Sequence, residues 1–308
     1  MKNKRISIFI VLSCLMGALQ AQPAEKMTAQ YMNLSGKVSY MQVNTYKAGL
    51  KDGEIQRQSL MREIQYSFTK QGDLSEQKNY ANDKLQRRFV YQYDNNGRET
   101  KKVWYNSRGN VYQTYISKYA DGNMSEYLVF NGNDVLLDST VYVYADNLLS
   151  TENHFLSDTA VECTFYYTFK YNNNGKLLSK QKVDGSQIFF VDQYAYDGKN
   201  RISEEKKYDN NGEFTIGYLY TYDDQDLIVV RKSMNEQGVQ RRRTTYSYDQ
   251  YGNLVEEIWY DKETTFILRE VSYTYTYDDK GNWISRITYE GQDKNPTEVV
   301  VRSIDYYR

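Results

Sequence analysis

Few residues in this 308-residue chain could do covalent or acid–base chemistry. There is one histidine, His154, and there are two cysteines, Cys14 and Cys163. Neither His154 nor Cys163 has a neighbour at the spacing of a nucleophile–base pair, so nucleophilic catalysis is not expected. His154 reads as a surface or turn residue, and Cys163, between Val161 and Phe165, as a small buried apolar one. Paired carboxylates occur at Glu204-Glu205, Glu256-Glu257 and Asp278-Asp279. Consecutive residues of a strand point to opposite faces, and aspartates that open turns bond the local backbone, so neither arrangement makes an acid–base pair. Asp223-Asp224-Gln225-Asp226 and Asp278-Asp279-Lys280-Gly281-Asn282 suggest calcium at first sight. Their spacing fits no calcium loop, and Lys280 would repel a cation. No catalytic residue, cofactor or metal ligand is expected. Trp104, Trp259 and Trp283 remain as candidate platforms for stacking a sugar, although a tryptophan in a strand is more often packed.

The elements carrying these residues are set by a recurring phrase, clearest in Tyr246-Ser247-Tyr248-Asp249-Gln250-Tyr251-Gly252-Asn253-Leu254. Tyrosines two apart share one face of a strand. Asp249 opens a turn and bonds backbone N–H groups two residues on, and Gly252 supplies the left-handed position. Anchored on the second aromatic, copies fall at Phe68, Tyr93, Tyr119, Tyr144, Tyr171, Tyr196, Tyr222, Tyr248 and Tyr277. That is a period of about 26 residues. A second turn lies midway in each period, as at Tyr208-Asp209-Asn210-Asn211-Gly212, so something near twenty strands is expected. Asn200 and Asp226 stand where glycine is usual, and both tolerate the left-handed region. The expected fold is all-β: consecutive antiparallel hairpins, one long meander curling into a superhelical or barrel-like spiral, because open sheets rarely exceed about ten strands. The first loop, residues 47–54, is expected to be longer than the later ones. Residues 144–171 are the least regular region.

Composition agrees. There are 33 tyrosines against 11 phenylalanines and only 2 prolines, and tyrosine, threonine and valine favour strands. Residues 1–21 read as a secretory signal: Lys2, Lys4 and Arg5, then the apolar residues 6–16, then Ala21. Lipidation at Cys14 is the less favoured alternative, since it leaves an apolar core of only eight residues. Residues 22–33 read as a short polar leader, and residues 34–308 as a single repeat domain of about nine repeats. Removing the signal leaves 36 basic and 40 acidic residues, so nucleic acid is not an expected partner. Arg241-Arg242-Arg243 reads as a solvated strand start. No apolar run after the signal is long enough for a transmembrane helix. With Cys14 removed, Cys163 has no disulfide partner.

The Tyr-x-Tyr-Asp-x-x-Gly pattern at Tyr246-Ser247-Tyr248-Asp249 and at Tyr91-Gln92-Tyr93-Asp94 resembles the YD repeats of the RHS superfamily. More closely, the chain is similar to short exported bacterial proteins made of such repeats, whose opening resembles Leu34-Ser35-Gly36-Lys37-Val38. The resemblance implies a β-sheet shell and a link with carbohydrate binding. The function expected is an exported (periplasmic, cell-surface or secreted), non-catalytic binding or structural module at the cell envelope. Its best-supported ligand is a glycan or another surface polymer. The rivals are a carboxylate-based polysaccharide hydrolase and a scaffold that meets envelope proteins through free sheet edges.

Overall fold

The computed structural model describes residues 27–156, 165–184, 187–262 and 266–308. The expected signal, Cys14, the start of the expected leader and Cys163 lie outside the described residues. The chain forms hairpin after hairpin: β1 (Val38–Lys51), β2 (Glu54–Phe68), β3 (Leu74–Ala81), β4 (Lys84–Tyr93), β5 (Glu99–Asn106), β6 (Val111–Ala120) and β7 (Asn123–Asn131). There follow β8 (Leu136–Ala145), β9 (Leu148–Leu156), β10 (Phe165–Tyr171), β11 (Leu177–Asp184), β12 (Gln187–Tyr196), β13 (Ile202–Tyr208) and β14 (Phe214–Tyr222). The last are β15 (Ile228–Met234), β16 (Gln240–Tyr248), β17 (Leu254–Tyr260), β18 (Ile267–Tyr277), β19 (Trp283–Glu290) and β20 (Asn295–Tyr306). Each strand pairs antiparallel with its chain neighbours. β20 then pairs with β1, from Val38↔Tyr306 to Lys47↔Glu298, and closes a twenty-stranded barrel.

Turn chemistry repeats as the sequence requires. The Asp94 carboxylate accepts the N–H groups of Asn96 and Arg98, each at 2.9 Å. The same two bonds recur at Asp197, Asp223 and Asp249. Asn200 and Asp226 take the left-handed conformation in place of glycine, at φ 63° and 64°. Gly132 departs from the grammar, because the left-handed residue of its turn is Asp134. A Cβ on Gly132 would stand 2.3 Å from the Val111 carbonyl oxygen, so close approach of the neighbouring hairpin explains this glycine.

Three expectations are corrected. The first loop is not long: β1 and β2 run on to a two-residue turn at Asp52 and Gly53, with φ 53° and 82°. Asp-Gly at both left-handed positions is the tight hairpin signal, and it overrides the glycine at position 49. The later leader is also not merely polar. Met27, Ala29, Met32 and Leu34 join Val38, Met41, Phe68 and Leu74 in an apolar cluster, and the Ala29 N–H donates to the Gly72 carbonyl at 2.8 Å. Finally, closure removes the free lateral edges expected of an open sheet. The β1–β2 hairpin overhangs its neighbour, since β3 pairs with β2 no further out than Glu63.

The two faces of the sheet differ. In β12, Asp192, Tyr194 and Tyr196 are buried or half-buried, while Gln193 and Ala195 between them are exposed. Burial pushes up the hydroxyl pKa of Tyr91, Tyr127, Tyr142, Tyr194, Tyr220 and Tyr246 around this tyrosine face. Side-chain tips are shielded in this way on the concave side of a curved sheet, so the tyrosine face lines the barrel. Barrels of eight strands are filled by side chains, whereas those of 16–18 leave a channel. Fully buried side chains are correspondingly few here, and the interior is a lined wall.

Candidate functional site

The wall is built by register. Each first tyrosine of a pair stands opposite a residue on the next strand. Those partners are Lys102, Glu152, Lys180, Glu205, Arg231, Glu257 and Arg286, opposite Tyr91, Tyr142, Phe169, Tyr194, Tyr220, Tyr246 and Tyr275. From Glu152 to Arg286 the charge therefore alternates in sign from period to period. The spacing was available in the sequence, because each lies eight or nine residues after the anchoring aromatic. It passed unnoticed because charged residues in a strand read as solvent-facing.

Cations lie over aromatic rings along the same wall. Lys102 sits 4.1 Å from the Tyr115 ring centre, and Lys180 4.1 Å from that of Tyr167. The three tryptophans share this face and none presents an uncovered ring. Arg87 lies over Trp104 at 5.2 Å, Arg242 and Arg269 over Trp259 at 5.3 and 5.2 Å, and Arg302 over Trp283 at 3.2 Å. Trp104 also meets Phe89 and Tyr112, with ring centres 5.7 and 4.3 Å apart. Arg241-Arg242-Arg243 is accordingly more than a solvated strand start, since Arg242 covers Trp259 inside and Arg243 covers Tyr260 at 4.4 Å outside.

Carboxylates divide as strand geometry requires. Glu204 pairs with Lys206 at 3.0 Å on the outer face. Glu205 faces inward, where Lys207 lies 3.1 Å away and the Tyr220 hydroxyl donates to it at 3.1 Å. Lys207 also reaches Asp192 at 3.5 Å. Burial opposes the Lys207 charge, yet Glu205 and Asp192 together hold its pKa above the ordinary lysine value. Burial raises Asp192 against the pull of the same lysine. The nearest approach to a carboxylate pair is thus Asp192 and Glu205, two strands joined through a lysine.

His154 is not a surface or turn residue. It lies in β9 on the tyrosine face, half-buried, with its ring 4.5 Å from that of Phe165. Its Nε2 is 2.9 Å from Glu152 and its Nδ1 3.3 Å from the Thr140 hydroxyl. The line Thr140–His154–Glu152 has the order of a catalytic triad. Thr140 is 5% exposed. Cross-strand register assembled these residues (Thr140↔His154), and spacing along the chain gave no sign of it. Among the described residues no cluster suits a metal ion.

Comparisons with known proteins give likeness of shape at low levels. No family model matches the chain, and no curated protein matches it. Among solved structures, a porin-like protein from Bacteroides uniformis shares 11% identity, with a TM-score of 0.36 over 88% of this chain and 98% of that one. A porin-like protein from Bacteroides vulgatus shares 10%, with a TM-score of 0.31 over 71% of this chain and 94% of that one. The toxin complex TcdB2–TccC3 shares 10%, with a TM-score of 0.23 over 78% of this chain; the match spans 19% of that chain.

Proposed function

We propose that this chain is an exported, non-catalytic YD-repeat barrel that serves as a binding or structural module of the cell envelope, with its interior wall taking up a glycan or another surface polymer. One observation carries the reading: aromatic rings, cations and carboxylates recur on one face of strand after strand in a closed twenty-stranded barrel. Aromatic rings offer apolar faces to sugar rings, and the charged groups between them offer hydrogen bonds to hydroxyls. The inward carboxylates are engaged with Lys207, Trp259 and His154, which favours binding over acid–base turnover.

A lipid-spanning barrel is disfavoured by both faces. A membrane barrel turns an unbroken apolar band outward, and a lysine or arginine at the midplane costs about 2–4 kcal/mol. Here the outer face carries the ion pairs Glu76–Arg88 at 2.6 Å, Lys118–Glu126 at 2.5 Å and Glu204–Lys206. The inner face carries the alternating charges. Neither is a lipid surface.

A glycan array probed with the chain lacking residues 1–21 tests the proposal. Saturable binding, lost in Trp259→Ala and Trp104→Ala variants that keep their strand signal by circular dichroism, is the expected result. Polysaccharide turnover abolished by Glu205→Gln would replace the proposal with the hydrolase reading.

A further inference from the structure

The seam where β20 closes on β1 sets two arginines on one indole. Arg302 projects from β20 onto the tyrosine face, half-buried, its guanidinium flat on Trp283 at 3.2 Å. Arg286 of β19 approaches the same ring at 5.7 Å and is bound to Glu298 at 2.8 Å. Arg62, on β2, acts with Arg302 on the Tyr66 hydroxyl. Arg286 and Arg302 thus share one ring, and the Glu298 carboxylate beside them is held by Arg286. Arg302 has no carboxylate partner among the described residues, and its Nε is buried without a hydrogen bond.

A guanidinium in this position is expensive. It stays protonated at neutral pH, and a shielded charge costs several kcal/mol unless it is paired and hydrogen-bonded. Burial and the neighbouring Arg286 charge hold the Arg302 pKa down to about 9, which reflects the same cost. The indole lies against the group at 3.2 Å, and the N–H fork of a guanidinium suits an oxyanion in the two-pronged geometry arginine favours. Elsewhere on the wall Lys207 has both Asp192 and Glu205 beside it.

We propose that Arg302 and Arg286, set on Trp283 at the barrel seam, form a binding site for an oxyanion, and that the polymer entering the barrel is acidic, presenting a carboxylate or sulfate there. The second half of this statement rests on the interior wall being a glycan-binding surface; the first half does not.

Calorimetric titration of the mature protein at low salt tests both halves, using inorganic sulfate, an oligouronate and a neutral oligosaccharide of equal length. Sulfate and oligouronate are expected to bind, the oligouronate at least about tenfold tighter than the neutral sugar. Arg302→Met, which keeps the length of the side chain without its charge, is expected to lose about tenfold or more for both anions. Added sulfate is expected to raise the melting temperature of the wild type but not that of the variant, a readout that a purely structural arginine would not give. Arg302→Lys, which keeps the charge without the fork, is expected to fall between and serves if Arg302→Met does not fold. Equal anion binding by wild type and Arg302→Met, or none by the wild type, overturns the site. Binding of the neutral sugar with no preference for the acidic one overturns the acidic ligand and leaves the glycan reading standing. Binding of sulfate with neither sugar leaves the site standing and removes the glycan reading.

Discussion

The two rims of the barrel are made from the same kind of hairpin turn and differ in almost everything else. At the rim where the Tyr-x-Tyr-Asp phrases turn, the second tyrosine of several pairs ties its period to the one before. The hydroxyls of Tyr93, Tyr196, Tyr222 and Tyr248 donate to the carbonyls of Leu74, Leu177, Ile202 and Ile228 at 2.6–2.8 Å. The chain from Met27 to Leu34 docks on this rim, and the Asn282 amide joins Ser35 to Tyr306 across the seam. Both apolar clusters lie here, around Leu74 and around Leu177. Among the described residues the opposite rim has no tyrosine latches of this kind, although the Gln240 amide donates to the Lys262 carbonyl there at 3.1 Å. It exposes Leu50, Tyr112, Val135, Phe189, Val239 and Phe266, one or more at several separate turns. The first rim carries the order of the repeat; the second is free to vary and offers apolar side chains to solvent, where a partner would meet it.

The comparison can be broken most severely with alkali. Burial, with the nearby Asp197 charge, lifts Tyr222 to about 12, and burial with a hydrogen bond to Asp278 does the same for Tyr306. A phenol whose pKa is raised on folding gives stability that is complete below the unfolded value near 10 and is lost as pH climbs through the folded value. Tyrosinate absorbance and loss of strand signal should therefore rise together between about pH 10 and 12. Independent titration of these tyrosines in a barrel that stays folded would contradict the latch.

Next in size is Leu74→Ala. Leu74 is fully buried beneath the docked N-terminal segment, and its truncation should cost about 2–5 kcal/mol in urea unfolding. A smaller and more specific contrast sets Tyr222→Phe against Tyr112→Phe. The first deletes a latch and should cost about 1 kcal/mol, whereas the second, on the other rim, should leave the melting temperature unchanged. An equal response at both rims would dissolve the distinction. Smallest of all is Phe266→Ser with Val239→Ser. Stability should move by less than about 0.5 kcal/mol for each, while any self-association seen by analytical ultracentrifugation should fall.

The regular parts of this fold were legible because they are local. A tyrosine pair, an aspartate and a glycine within seven residues fix a strand end and its turn, whatever lies elsewhere, and Asn200 and Asp226 could be read as left-handed residues for the same reason. The tight turn at Asp52 and Gly53 was equally local and was missed because glycine at 49 drew the boundary inward. His154 was misread because Thr140 and Phe165 reach it only through pairing between strands.

The sequence by itself determined an antiparallel meander of about twenty strands with one tyrosine-bearing face, since period and turn chemistry are written within each hairpin. Only the tertiary structure decided that the meander closes. Closure depends on Val38 finding Tyr306 across nearly the whole chain, and no local preference encodes the accumulated twist and stagger that bring the two strands together. The meeting of Arg62 and Arg302 about Tyr66 follows from that closure, because the two become neighbours only when the first hairpin and the last strand share one wall.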